Sequence, residues 1–251
     1  MNNYIYAFLI TTASGLSTLL GIIFIFIKVK NIDKFISISL SFSATIMILI
    51  SIFDLIPSSF FNIIDKYKLL GFIIAVISFL IGIYLIKIFN IIINKLEEKG
   101  SSLFKLGIVS AIVLMLHNIP EGIITFLTSD NNFNLGLKIG IAIALHNIPE
   151  GICISVPIYY STKSYKKAIL TTLLSGLSEP LGALITYLFL YKFITFNILN
   201  IIFIFVAGIM ISLAINDILK ESIKYSQNNN KYIYIGLIIG IIFFLISLYF
   251  I

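Results

Sequence analysis

Two histidines are all this chain has, and both open the same six-residue phrase. His117-Asn118-Ile119-Pro120-Glu121-Gly122 recurs as His146-Asn147-Ile148-Pro149-Glu150-Gly151. In a helix, positions four apart share a face one turn above the other, so each copy presents an imidazole over a carboxylate. Both copies lie in apolar surroundings, where an ionisable side chain is costly and is a functional candidate by default. Two imidazoles, two carboxylates and two amide oxygens at one depth are a ligand set for a divalent cation. The competing reading makes His and Asn interhelical hydrogen bonders beside ordinary proline kinks. Duplication of the whole phrase, with both histidines in it, favours the cation. A third deep carboxylate, Glu179, sits beside Pro180 in Ser175-Gly176-Leu177-Ser178-Glu179-Pro180-Leu181-Gly182-Ala183; bonding to Ser or backbone is its structural alternative.

These residues need elements that can hold them in hydrocarbon. Of 251 residues 59% are hydrophobic and 11% charged, where a soluble domain carries roughly a quarter charged. At about 20 apolar residues per crossing, eight spans are predicted: Tyr4–Ile27, Phe35–Ile56, Leu69–Ile93, Leu103–Leu127, Leu135–Tyr159, Ala168–Tyr191, Ile194–Leu219 and Tyr232–Ile251. The first apolar run is too long for a cleaved signal and is read as a span. Each span must be helical, because lipid offers the backbone no hydrogen-bond partner. The reading is a single all-α transmembrane domain over residues 1–251.

The chain has 17 Lys and no Arg. The odd gaps and their helix ends hold Lys28, Lys30, Lys34, Lys87, Lys95, Lys99, Lys105, Lys163, Lys166, Lys167, Lys220, Lys224 and Lys231; the even gaps hold Lys66, Lys68, Lys138 and Lys192. The positive-inside rule then puts the odd gaps in the cytoplasm and both termini outside. The same placement removes nucleic acid as the reason for the net charge of +6. The short Thr128–Asn134 connection makes the fourth and fifth spans antiparallel, so the two hexapeptides are related by a pseudo-twofold axis in the membrane plane, as in many transporters. Pro120 and Pro149 disturb the bonds to the carbonyls of Leu116 and Leu145 and are expected to kink or loosen the helices there.

Several chemistries are excluded. One cysteine, Cys153, rules out a disulfide framework or a cysteine zinc site, and it reads as a small packing residue. His-x-x-x-Glu is the wrong order for a His-Glu-x-x-His protease or a Glu-x-x-His di-iron centre. No phosphate-binding Gly-rich loop is present, so ATP does not drive the chemistry directly. The remaining rival is a membrane receptor that binds metal without moving it. Asp54, in Asp54-Leu55-Ile56-Pro57, either lines an entrance or reaches out to water. Asp217, followed by Lys220 and Glu221, reads as an interfacial charge.

The paired hexapeptides, the SGLSEPLGA stretch and SFSATIMILISIFDLIP at residues 41–57 resemble the ZIP family of zinc- and iron-type transporters, in its bacterial branch. The resemblance covers nearly the whole chain. It implies an eight-helix bundle of inverted repeats, helices one to three mirroring six to eight around four and five, in the cell membrane of a bacterium and in dimers. It also implies a two-metal site. One position would use His146, Glu121 and Glu150, helped by His117; the other would use Asn118, Asn147 and Glu179 with the same two glutamates. The His-rich loop of many relatives is missing between the third and fourth spans, which offers only Glu97 and Glu98.

Mixed imidazole and carboxylate ligands suit Zn²⁺, Fe²⁺, Mn²⁺ and Co²⁺, whereas Cu⁺ wants sulfur. The expectation is uptake of zinc and related divalent cations by alternating access, with no catalytic cofactor and no enzymatic step.

Overall fold

A computed structural model describes residues 3–96, 100–191 and 193–248; Glu97 and Glu98 lie outside the described residues. The described residues are helical throughout, with no strand. Seven helical stretches are long and apolar enough to cross a membrane. They are built from α1 (Asn3–Leu16), α2 (Ile32–Ile50), α3 (Ile56–Leu96), α4 (Ser102–Asn131), α5 (Phe133–Thr162), α6 (Tyr165–Gly176), α7 (Ser178–Ile185), α8 (Phe196–Leu213), α9 (Leu219–Tyr225) and α10 (Lys231–Leu248).

The longest stretch, Ile32–Lys95, folds back on itself. Lys68 sits at φ 50°, ψ −126°, outside helical space. Phe60 and Phe72 stack edge-on with centroids 6.0 Å apart; twelve residues of straight helix would separate them by roughly 18 Å. Helix also continues past Pro57, where the sequence predicts a span's end. The preceding turn, Ser51–Leu55, is π-helical, and Ile56 N–H reaches back five residues to Ser51 O. Pro57 therefore falls in the first turn of α3, where the missing N–H is tolerated.

Helix starts follow from capping side chains. Asn31, Ser101, Asn132, Ser164 and Thr195 each accept a hydrogen bond from the backbone N–H three residues on, which satisfies an otherwise orphaned donor. Asn132 does two jobs. Its own N–H closes α4 on Thr128 O while its side chain opens α5 on Leu135 N–H. The expected Thr128–Asn134 loop is thereby reduced to one residue, and α4 and α5 are locked antiparallel. Pro120 and Pro149 lie inside unbroken helices. Hydroxyls from neighbouring helices bond carbonyls on either side of the second proline turn: Ser17 Oγ donates to Ala144 O at 2.9 Å and Ser43 Oγ to Pro149 O at 2.8 Å.

Small residues bring the helices close enough for these contacts. A Cβ on Gly151 would overlap the Thr18 carbonyl, and one on Gly122 would overlap the Glu179 carbonyl. The bundle accordingly has α4 and α5 at its centre, with α1 and α7 against them and α2 beside α5. Large apolar side chains such as Leu69, Phe61, Tyr84 and Leu245 face outward, as lipid contact requires.

Candidate metal site

The two hexapeptides meet at the centre of the bundle. His117 Nε2 stands 3.3 Å from Glu121 Oε1 and 3.2 Å from Glu150 Oε1. The second contact lacks hydrogen-bond alignment, because neither Glu150 oxygen has a hydrogen-bond partner. His146 lines the floor of a cavity together with Glu121. From the next layer, Asn147 Nδ2 donates to Glu179 Oε1 at 2.5 Å. The seven residues named in advance, His117, Asn118, Glu121, His146, Asn147, Glu150 and Glu179, are all at most 6% exposed.

The asparagines are aimed by backbone carbonyls. Asn147 Nδ2 also donates to Ser14 O at 2.9 Å, and Asn118 Nδ2 donates to Ser175 O at 3.2 Å. With the amide N–H groups engaged there, the Oδ1 atoms of both residues stay buried without a partner. Sequence reading missed the first of these supports. Its signal is a second repeat: Ser14-Gly15-Leu16-Ser17 matches Ser175-Gly176-Leu177-Ser178. In both copies the second serine hydroxyl donates to the carbonyl of the first. In the first copy Thr18 also bonds Gly15 O, and the chain tightens into a 3₁₀ segment, Ser17–Phe26. Thr18 occupies the place that Glu179 holds in the other half.

Six buried oxygens here have no hydrogen-bond partner: Asn118 Oδ1, Glu121 Oε2, Asn147 Oδ1, both Glu150 oxygens and Glu179 Oε2. Each unsatisfied polar atom costs about 1–3 kcal/mol, more when charged. Six together reach the order of a whole domain's net stability, about 5–15 kcal/mol. All six are acceptors, and a divalent cation satisfies acceptors and neutralises carboxylates at once. Among the described residues no set of three His, Cys, Asp or Glu side chains is already disposed to hold a metal ion. His117 instead lies between the two glutamates.

The cavity that reaches His146 and Glu121 has a volume of about 340 Å³ and is lined towards its mouth by Asp54, Ser58, Leu135 and Lys138. Asp54 therefore shares one cavity with Glu121 and His146. At the opposite end of the bundle Lys105 and Lys220 rim another cleft and Lys28 and Lys163 flank Tyr159 and Tyr165; Lys99 and Lys192, counted in the gaps, lie outside the described residues.

Known proteins resemble this chain along its length. A family model described as ZIP Zinc transporter matches residues 94–248. The Zinc transporter ZupT of Chlorobium chlorochromatii is 35% identical, covering 98% of both chains. That of Clostridium perfringens is 36% identical over 99% of this chain and 96% of its own, and that of Oceanobacillus iheyensis 39% over 90% and 91%. Hexapeptides on antiparallel central helices, a carboxylate from the SGLSEP segment and this full-length similarity agree: the chain belongs to the ZIP zinc transporter family.

Proposed function

We propose that this protein takes zinc, and with it Fe²⁺, Mn²⁺ and Co²⁺, across the cell membrane into the cytoplasm by alternating access. The observation that carries the reading is the set of six unpartnered buried oxygens beneath a cavity from one face. The names of the relatives, all zinc transporters, point to the same substrate. The lysine-rich end is assigned to the cytoplasm, so both termini lie outside and the chain crosses eight times, the fold-back at Lys68 separating two crossings.

The ion enters past Asp54 and exchanges water for protein ligands at the floor. His146, Glu121 and Glu150 hold it at one position, with His117 as a further ligand. Asn118, Asn147 and Glu179 form the second with the same glutamates. Nitrogen and oxygen donors without sulfur suit these metals and not Cu⁺. A metal receptor that does not transport has no use for ligands duplicated across a pseudo-twofold axis.

Purified protein in liposomes provides the test, with uptake of Zn²⁺, Fe²⁺ and Mn²⁺ followed with and without a pH gradient. Glu121→Ala is expected to abolish uptake while leaving membrane insertion intact. Undiminished zinc uptake by that variant refutes the site, and no flux of any ion through the unmodified protein refutes transport.

A further inference from the structure

The connection from α1 to α2 and the turn from α5 to α6 enclose a hollow of about 300 Å³, lined among others by Phe26, Lys28, Tyr159, Tyr160, Lys163 and Tyr165. It lies where crossings begin and end: the stretches Asn3–Phe26 and Phe133–Thr162 stop here and Tyr165–Leu190 starts. Lys163 takes the left-handed conformation, φ 53°, and its N–H closes α5 on Tyr159 O. The wall beside it is aromatic. Phe26 stacks on Tyr165 with centroids 5.1 Å apart and planes 4° from parallel, and Tyr159 packs on the same ring at 4.5 Å. Tyr159 Oη donates to Tyr165 Oη at 2.9 Å, which leaves the proton of the Tyr165 hydroxyl to donate onward.

Lys28 and Lys163 both stand at helix C-terminal ends, where the dipole favours positive charge. That explains a lysine at each end and not the charge balance of the hollow between them. Its lining contains no carboxylate, and the ion pairs of the described residues involve neither lysine. Asp33, in the first turn of α2, accepts from Gln227 Nε2 at 2.5 Å and does not line the hollow. A second hollow of about 270 Å³ shares Val29 and adds Lys30 and Lys34, again without a carboxylate. Two ammonium groups and a hydroxyl donor with no fixed counter-charge form a receptor for an anion. Below it, towards the hydrocarbon, Ile23 lies one turn back from Phe26 and Ile169 one turn on from Tyr165, and all three apolar side chains are exposed.

We propose that this hollow binds the phosphate of an anionic glycerophospholipid from the adjoining leaflet. Lys28, Lys163 and the Tyr165 hydroxyl supply the donors, and the acyl chains run along Ile23, Phe26 and Ile169. Basic pockets between crossing helices at a membrane surface suit such headgroups, and tyrosine rings sit at the same depth. A soluble phosphate ester offers the same charge but leaves the apolar wall uncovered. The bound headgroup joins the α1–α2 connection to the end of α5, the helix that carries His146 and Glu150. Such a site requires only that the bundle lie in a bilayer, whichever ion it moves.

The full chain in neutral-detergent micelles is titrated with phosphatidylglycerol and, separately, with phosphatidylcholine, and bound lipid is counted by native mass spectrometry. Phosphatidylglycerol is expected to bind first and more tightly. Lys28→Gln combined with Lys163→Gln should weaken it roughly 30-fold. Lys166→Gln combined with Lys167→Gln removes the same charge from exposed positions at the same end, outside the hollow, and should leave binding nearly unchanged. Equal weakening by the two pairs marks a diffuse field and overturns the site, as does equal binding of the two lipids. Tyr165→Phe keeps the ring stack and removes the donor, so it should weaken binding roughly 2- to 10-fold; it tests the hollow even where the lysine pair lowers the melting midpoint. Undiminished binding in Tyr165→Phe and in the Lys28, Lys163 pair places the lipid elsewhere and overturns the proposal. Glycerol 3-phosphate should displace the lipid only weakly; competition as strong as that of the lipid itself makes the ligand a soluble phosphate ester and overturns the lipid assignment.

Discussion

Glu150→Gln separates a binding site from a structural polar network by the sign of two effects. Glu150 is 1% exposed and both its oxygens lack a hydrogen-bond partner. It shares the bundle centre with Glu121 and Glu179, and His117 is the nearby imidazole. Glutamine keeps the shape, removes one buried charge and adds a donor among surplus acceptors. Relief of one unsatisfied group is worth about 1–3 kcal/mol, so the metal-free protein should become more stable. At about 2–4 °C per kcal/mol for a chain of this size, its melting midpoint in detergent should rise by several degrees. Zinc binding should move the other way. A lost charged contact of about 1.5–3 kcal/mol weakens affinity roughly 10- to 150-fold, at about 1.4 kcal/mol per factor of ten. The assay is a melting curve without zinc, paired with competition against a fluorescent chelator for affinity. A structural ion pair with His117 predicts the reverse pattern, a lower midpoint and unchanged affinity. That pattern would refute the reasoning.

Other expectations follow from the same contacts. Asn118→Ala combined with Asn147→Ala should reduce bound zinc from two ions to one per chain, measured by equilibrium dialysis; two ions retained would remove the amides from the ligand set. Zinc affinity should fall as pH drops from about 7 to 5, because imidazole and carboxylate ligands must be deprotonated to bind metal and protons then compete. A chelator titration that is flat over that interval contradicts the ligand assignment. Gly151→Ala should destabilise by about 1–3 kcal/mol through overpacking against the Thr18 carbonyl, read as a lower melting midpoint. Ser43→Ala, which removes the donor to Pro149 O, should cost about 0.6–1.7 kcal/mol, as polar contacts between membrane helices do.

The proposed ligands stand out in the sequence because hydrocarbon makes ionisable residues rare and the hexapeptide repeats without a change. His117 and His146 announce themselves on both grounds. Asp54 and Asp217 were harder to relate, because residues 42–54 and 205–217 share only part of their sequence and lie far apart in the chain. The supporting carbonyls of Ser14 and Ser175 were harder still to read: the SGLS repeat marks the two segments but not the role of their carbonyls. A backbone oxygen has no sequence signature, and what aims it here is the tight approach of α1 and α6 to the central pair. The fold-back at Lys68 and the continuation through Pro57 escaped for a related cause: hydropathy marks where a chain enters lipid, while the π-helical turn that accommodates Pro57 is set by hydrogen-bond register. The one-residue Asn132 connection likewise depends on a single side chain capping one helix as its backbone closes another, and composition counts it as loop.

The pseudo-twofold relation also constrains how such a site can open. A path open at both ends would be a pore, and the hexapeptides alone are compatible with one. The flanking residues break the symmetry. On the Asp54 side Ile124, Ile139 and Ala142 line an accessible cavity; at the equivalent positions on the opposite side Cys153, Ser110 and Val113 are sealed, and a thiol–hydroxyl hydrogen bond joins two of them. Under the proposed alternating access, opening that side breaks the bond, a contact of order 1 kcal/mol or less, and closes apolar side chains over the Asp54 cavity. Both are small terms, so the two states can lie within a few kcal/mol of each other, the spacing at which a ligand shifts populations. The ligands themselves need not be rebuilt. Glu121 and Glu150 are equivalent under the hexapeptide register, and so are His117 and His146, so the proposed ligand set is by symmetry as well suited to one face as to the other.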